Sequence, residues 1–103
     1  MSPMRLTSEQ RERIVRIVRA QAGDNAAVWL YGSRTRDDCR GGDVDLLIQA
    51  SHEIDLKQQA ELHSRLEGEL LLPVDISFID ARQGMTRFQK LAAAQALRVE
   101  VAQ

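Results

Sequence analysis

The residues best equipped for chemistry are three aspartates set in short apolar segments. Asp43 and Asp45 lie two apart in Gly42-Asp43-Val44-Asp45-Leu46, and Asp75 lies in Val74-Asp75-Ile76. Aspartate is a poor strand former. In a strand, residues i and i+2 share a face, which puts the Cα atoms of Asp43 and Asp45 ~6.6 Å apart. Two unit charges at about 6 Å repel by about 3 kcal/mol at an effective dielectric near 20. In open water, screening removes most of that cost. Otherwise a hard cation among the oxygens relieves it, and carboxylates with open water positions suit Mg²⁺. From the carboxylates alone, a solvated sheet face and a metal site are both open.

The segment before them adds a second chemistry. Gly32 and Ser33 directly follow the β-forming run Ala27-Val28-Trp29-Leu30-Tyr31. A backbone without Cβ can approach a phosphate there, and free N–H groups can cradle it. Ser33 adds a hydroxyl donor, and Arg34 and Arg36 can fork onto phosphate oxygens; either can equally form an ion pair with Asp37 or Asp38. Gly41-Gly42 lets the chain fold back into the next strand. Gly-Ser-Arg after a strand, with Gly32 eleven residues before Asp43, is a restrictive pattern where a lone Gly-Ser is not.

The positioning elements follow from periodicity. Thr7 or Ser8 caps a helix whose apolar stripe is Ile14, Val15, Ile17 and Val18, closed by Gly23 as a left-handed cap. Residues 27–31 and 44–49 are strands. Ile54 to Leu70 is a helix with Leu56, Leu62, Leu66 and Leu70 near one face, ended by Pro73. Residues 74–79 form the third strand. Arg82 to Gln95 is a helix burying Met85, Phe88, Leu91 and Ala92, and Leu97 to Val101 alternates as a last strand. The order is α-β-loop-β-α-β-α-β in a single domain over residues 1–103. It predicts an α/β (α+β) fold, a small mixed β-sheet with helices packed on one face. Val44, Leu46 and Ile48, with Val74, Ile76 and Phe78, should face the helices. Asp43, Asp45 and Asp75 should stand together on the other face if the two strands are neighbours.

Composition narrows the function. The 103 residues are 44% hydrophobic and 28% charged, with a net charge of −1, which suits one soluble core and argues against a protein that coats nucleic acid. Residues 1–40 hold eight arginines against five acids; residues 41–80 hold two basic residues against nine acids. The longest apolar runs are four or five residues, far short of the ~20 needed to span a bilayer. The single cysteine, Cys39, forms no internal disulfide and fits a reducing, cytoplasmic setting. No Ser-His-Asp, Cys-His or zinc-spaced set is visible, and His52 and His63 read as surface residues. Catalysis would rest on positioning and charge.

Gly32-Ser33-Arg34, Gly42-Asp43-Val44-Asp45-Leu46 and Asp75 resemble the DNA polymerase β-type nucleotidyltransferase superfamily. In length and element order the chain is similar to its minimal (MNT) members, which pair as antitoxins with HEPN toxins. The resemblance implies a nucleotidyltransferase fold, with Asp43 and Asp45 as ligands of Mg²⁺, two ions in all. It implies nucleoside triphosphate binding by Gly32 and Ser33, and Asp75 as a third carboxylate that shares the metal and helps activate the attacking hydroxyl. Arg34, Arg36 and Gly42 complete the expected nucleotide-binding set, the arginines on the ground of charge alone. ATP is the expected substrate, AMP the transferred group, and a hydroxyl of an all-helical HEPN partner the acceptor. Asp37 stands where many members have glycine and Gly42 where many have serine; neither change removes a metal ligand.

Two other readings remain. One is a binding module of the same fold that neutralises its partner by contact. The other is nucleic-acid binding by Arg11, Arg13, Arg16 and Arg19, against which Glu9 and Glu12 interleave and no aromatic platform accompanies them. A domain this small should also leave an apolar patch exposed, on a helix or the last strand, to complete its core through a partner.

Overall fold

A computed structural model of the chain describes residues 6–31, 44–80 and 82–100. The element order is α1 (Ser8–Ala22), β1 (Ala27–Tyr31), β2 (Val44–Gln49), α2 (Leu56–Leu70), β3 (Val74–Ile79), α3 (Arg87–Gln95) and β4 (Leu97–Arg98). The strands form one mixed sheet in the order β3-β2-β1-β4. β1 is antiparallel to both neighbours, whereas β2 and β3 run parallel and are joined through α2. Parallel neighbours need such a crossover, and a helix supplies it.

Each helix starts on a reciprocal capping box. Thr7, Asp55 and Thr86 each accept from a backbone N–H three residues on, and Gln10, Gln58 and Gln89 reach back to the cap's own N–H. Two orphan donors are satisfied at each start. The caps correct two expected boundaries. α2 begins at Leu56 rather than Ile54 because Asp55 is the cap, which leaves Leu56 80% exposed and outside the apolar face. α3 begins at Arg87 rather than Arg82, because the Asp80 carboxylate accepts from the backbone N–H groups of Arg82 and Gln83 and turns the chain first. Those bonds hold the Asp80 carboxyl below the usual carboxylate range.

Helix ends differ as well. Gly23 has positive φ as expected, but with ψ 157° its backbone is extended, not left-handed helical. Ser51 explains this: its N–H and Oγ both donate to the Ala22 carbonyl, and a Cβ on Gly23 would lie 1.7 Å from Ser51 Oγ. The left-handed cap instead falls on Leu71 (φ 55°, ψ 35°), a residue with a Cβ penalty there.

α1 and α2 pack on one sheet face, as expected. Ile14, Val18, Leu62 and Leu66 form a continuous core with Val28, Leu30, Val44, Leu46, Ile48 and Val74, and Ile76 and Phe78 pack against it. α3 lies on the opposite face. There Gln89 donates to Ser77 Oγ, and Leu47 and Ile79 are buried outside the main core. The apolar face expected of α3 is not buried: Phe88 is 58% and Leu91 67% exposed, while Gln89 is buried. Polar tethering overrides periodicity here, since Gln89 Nε2 is shared between Ser77 Oγ (3.0 Å) and the Phe78 carbonyl (2.8 Å). The expected exposed apolar patch is this pair. β4 is shorter than the expected strand over 97–101, covering Leu97–Arg98. Val99 follows it, buried, with its N–H on the Val28 carbonyl.

Candidate active site

Tyr31, Asp45 and Asp75 form a row across three adjacent strands. β1 pairs with β2 so that Tyr31 opposes Asp45, and β2 pairs with β3 so that Asp45 opposes Asp75. Directly opposed residues share a face, and neighbouring strands lie about 4.8 Å apart. The two aspartates therefore stand side by side at the N-terminal ends of two parallel strands. Alternation puts them on the face away from α1 and α2, because Val44, Leu46 and Val74 occupy the core. Asp75 is exposed and Asp45 half-buried.

Like charges directly opposite in a sheet repel, a cost that solvent at the exposed Asp75, a compensating contact or a cation relieves. The field of the pair reaches Tyr31. Burial pushes the Tyr31 phenol above its ordinary value of 10.0, and the carboxylates of Asp45 and Asp75 push it further in the same direction. The phenol ring meets Phe88 of α3 edge-on, with centroids 6.1 Å apart. On the same face, the Arg98 guanidinium lies 5.4 Å from the Trp29 ring centroid, a cation–π arrangement.

Of the expected site residues, Asp45 and Asp75 are brought together. Asp43, Gly32, Ser33, Arg34, Arg36 and Gly42 lie outside the described residues, as does Cys39. Residues 32–43 join Tyr31 to Val44, which both end at the carboxylate row. Among the described residues, no group of three or more His, Cys, Asp or Glu converges as a metal cluster. Asp45 and Asp75 supply two carboxylates, the hard oxygen donors that Mg²⁺ prefers.

The family model for Polymerase beta, Nucleotidyltransferase matches residues 12–98. This chain belongs to the polymerase beta nucleotidyltransferase family. The match spans both aspartate-bearing strands and the segment between β1 and β2. No curated protein matches this family member in sequence. Solved structures match its fold. One is a chain from the tri-AMPylated Shewanella oneidensis HEPN toxin in complex with MNT antitoxin, with TM-score 0.69, 18% identity, and coverage of 93% of this chain and 74% of that one. A chain of the toxin–antitoxin MntA-HepT matches with TM-score 0.70 and 18% identity, over 93% and 74% of the two chains. A chain of a toxin–antitoxin crystallised with AMP-PNP gives TM-score 0.72 and 20% identity, over 90% and 74%. At these identities the likeness establishes the shared fold. The nucleotidyltransferase fold expected from Gly32-Ser33-Arg34 and the aspartates is thus the fold of this chain.

Sequence reasoning missed Tyr31 as part of the site, having read it as a strand-forming aromatic. The signal available was its position directly before Gly32, at the end of a strand. It also passed over His63, whose ring reaches the backbone immediately before Asp75.

Among the described residues, no helix is long and apolar enough to cross a membrane.

Proposed function

We propose that this family member transfers AMP from ATP to a hydroxyl of an all-helical HEPN-type toxin and thereby acts as its antitoxin. The observation that carries the reading is the direct cross-strand pairing of Asp45 with Asp75 on one sheet face. Family membership supports the reaction class. The AMPylated toxin and the AMP-PNP complex among the structural relatives support adenylate and a HEPN partner.

In this reading Asp43, Asp45 and Asp75 hold Mg²⁺. The metal, when bound, supplies charge neutralisation at the α-phosphate and the departing pyrophosphate. Gly32, Ser33 and Gly42 present backbone N–H groups, and Ser33 its hydroxyl, to the triphosphate. Arg34 and Arg36 fork onto its oxygens. Asp75, the most exposed of the row, takes the proton of the acceptor hydroxyl. The acceptor oxygen bonds to the α-phosphorus as the bond to the pyrophosphate oxygen breaks. The acceptor must approach the sheet face that α3 borders, where Phe88 stands exposed against Tyr31 and Leu91 is exposed on the same helix. A partner that covers them fits this requirement. The cytoplasm, which supplies ATP, is the compartment implied.

Incubation with ATP labelled at the α-phosphate, Mg²⁺ and a purified HEPN-type partner tests the reading. Label on a partner hydroxyl, with loss of the partner's toxicity, is the expected outcome. The exposed pair on α3 favours one second reading, neutralisation by contact alone. Toxicity lost without transfer of label would select it.

A further inference from the structure

Among the described residues, β3 lies at an edge of the sheet, with β2 on one side only. The Val44 N–H donates to the Pro73 carbonyl at 2.9 Å, so Pro73 and, by alternation, Asp75 turn their backbone polar groups toward β2. Those of Val74 point outward, away from any strand among the described residues. Unpaired groups at a sheet edge invite fraying or mispairing.

Two side chains of α2 take both. Glu67 Oε2 accepts from the Val74 N–H at 2.8 Å. His63 Nε2 lies 2.7 Å from the Val74 carbonyl. A carbonyl only accepts, so Nε2 must carry a proton. His63 and Glu67 are one helical turn apart, with Nε2 to Oε2 at 3.5 Å. The pair thus grips the peptide units on both sides of one residue. The unit between Val74 and Asp75 sets where the Asp75 Cα points, and Val74 pairs with Val44 one position before the Asp45–Asp75 row.

We propose that His63 and Glu67 are positioning residues for the transfer reaction, fixing the start of β3 so that Asp75 keeps its place beside Asp45. This rests on the nucleotidyltransferase reading above. Neither side chain touches the reacting atoms; both act through the Val74 backbone. Small misplacements of a reacting group can cost up to about a hundredfold in rate. A tether that only stabilised the fold would change melting temperature and leave turnover per folded molecule alone.

The test compares wild type with Glu67→Ala, His63→Ala, the double variant, and the acceptor-preserving Glu67→Gln. Turnover and the ATP Michaelis constant are measured with the HEPN-type partner, and amide hydrogen exchange on the free protein. Each alanine variant should lose about tenfold in kcat, with KM for ATP within twofold of wild type. Val74 and Asp75 amides should exchange faster while β1 amides do not. Glu67→Gln should restore turnover, because an amide carbonyl still accepts from the Val74 N–H. A double variant as active per folded molecule as wild type would overturn the proposal, even if exchange quickens. So would a kcat loss that Glu67→Gln fails to restore. Wild-type protein that transfers nothing would instead remove the reading beneath the proposal, and the proposal with it.

Discussion

The two faces of the sheet are built by different physics. Under α1 and α2, Leu30, Leu46, Ile48, Leu62 and Leu66 are fully buried, and apolar area is what holds the layers together. Under α3, a buried Gln89 and its hydrogen bonds make the junction, Leu47 is buried beside it, and the apolar residues Phe88 and Leu91 face outward. Among the described residues, no charged side chain is buried on the first face. The second carries two opposed carboxylates and a phenol whose proton they help to retain. One face holds the fold together; the other carries the candidate site.

The comparison is broken most severely by Asp45→Asn. Transfer should fall by about three orders of magnitude or more, while the melting temperature holds or rises, since removing one of two directly opposed like charges relieves repulsion. A sharp drop in melting temperature would mean that the carboxylate is structural.

Next, Leu66→Ala should cost about 3 kcal/mol of stability as a core cavity opens. Leu91→Asp on the other face should cost less than about 0.5 kcal/mol yet weaken binding of the proposed HEPN-type partner at least about tenfold. Chemical denaturation and a binding titration separate the two. Equal destabilisation by both would erase the distinction between the faces.

Gln89→Leu probes the polar junction directly. It removes the partner of the Phe78 carbonyl and Ser77 Oγ and should destabilise by about 1–3 kcal/mol. A neutral result would show that α3 is held by apolar contact after all.

Tyr31 is the only tyrosine in the chain, so its absorbance in alkali reports one group. The phenol should titrate above its ordinary value, chiefly from burial, and Asp45→Asn should bring it part of the way down. Because the folded value is raised, the unfolded chain loses this proton first. Stability from this group is therefore full below the ordinary tyrosine value and declines as pH rises past it.

The smallest expected effect lies at the end of α2. Leu71 is 85% exposed and adopts a left-handed conformation. Leu71→Gly should gain about 0.5–1 kcal/mol by removing its Cβ penalty, read as a higher denaturation midpoint. A loss would show that the leucine side chain contributes contacts worth more than the strain.

Much of the fold was legible because its signals are local. The stripe of Ile14, Val15, Ile17 and Val18, and the apolar alternation of Val44, Leu46 and Ile48, fix which face each element buries. The aspartates at 45 and 75 then had to point the other way. α3 was misread because its apolar spacing promised burial, whereas the Gln89 tether depends on Ser77 and Phe78 of β3. Leu56 was misplaced for a different reason: the Asp55–Gln58 capping box that starts its helix is local, and apolar spacing was weighed above it.

By itself the sequence determined the alternation of elements, the helix-backed core and the side of the sheet on which the carboxylates stand, since side-chain direction follows from the period of two or 3.6. Tertiary structure alone decided that β2 and β3 are neighbours in a register that sets Asp45 against Asp75. It also decided that Tyr31 joins them and that α2 grips Val74. Those are contacts between residues far apart in the chain, and no local period encodes which strands pair or where they start.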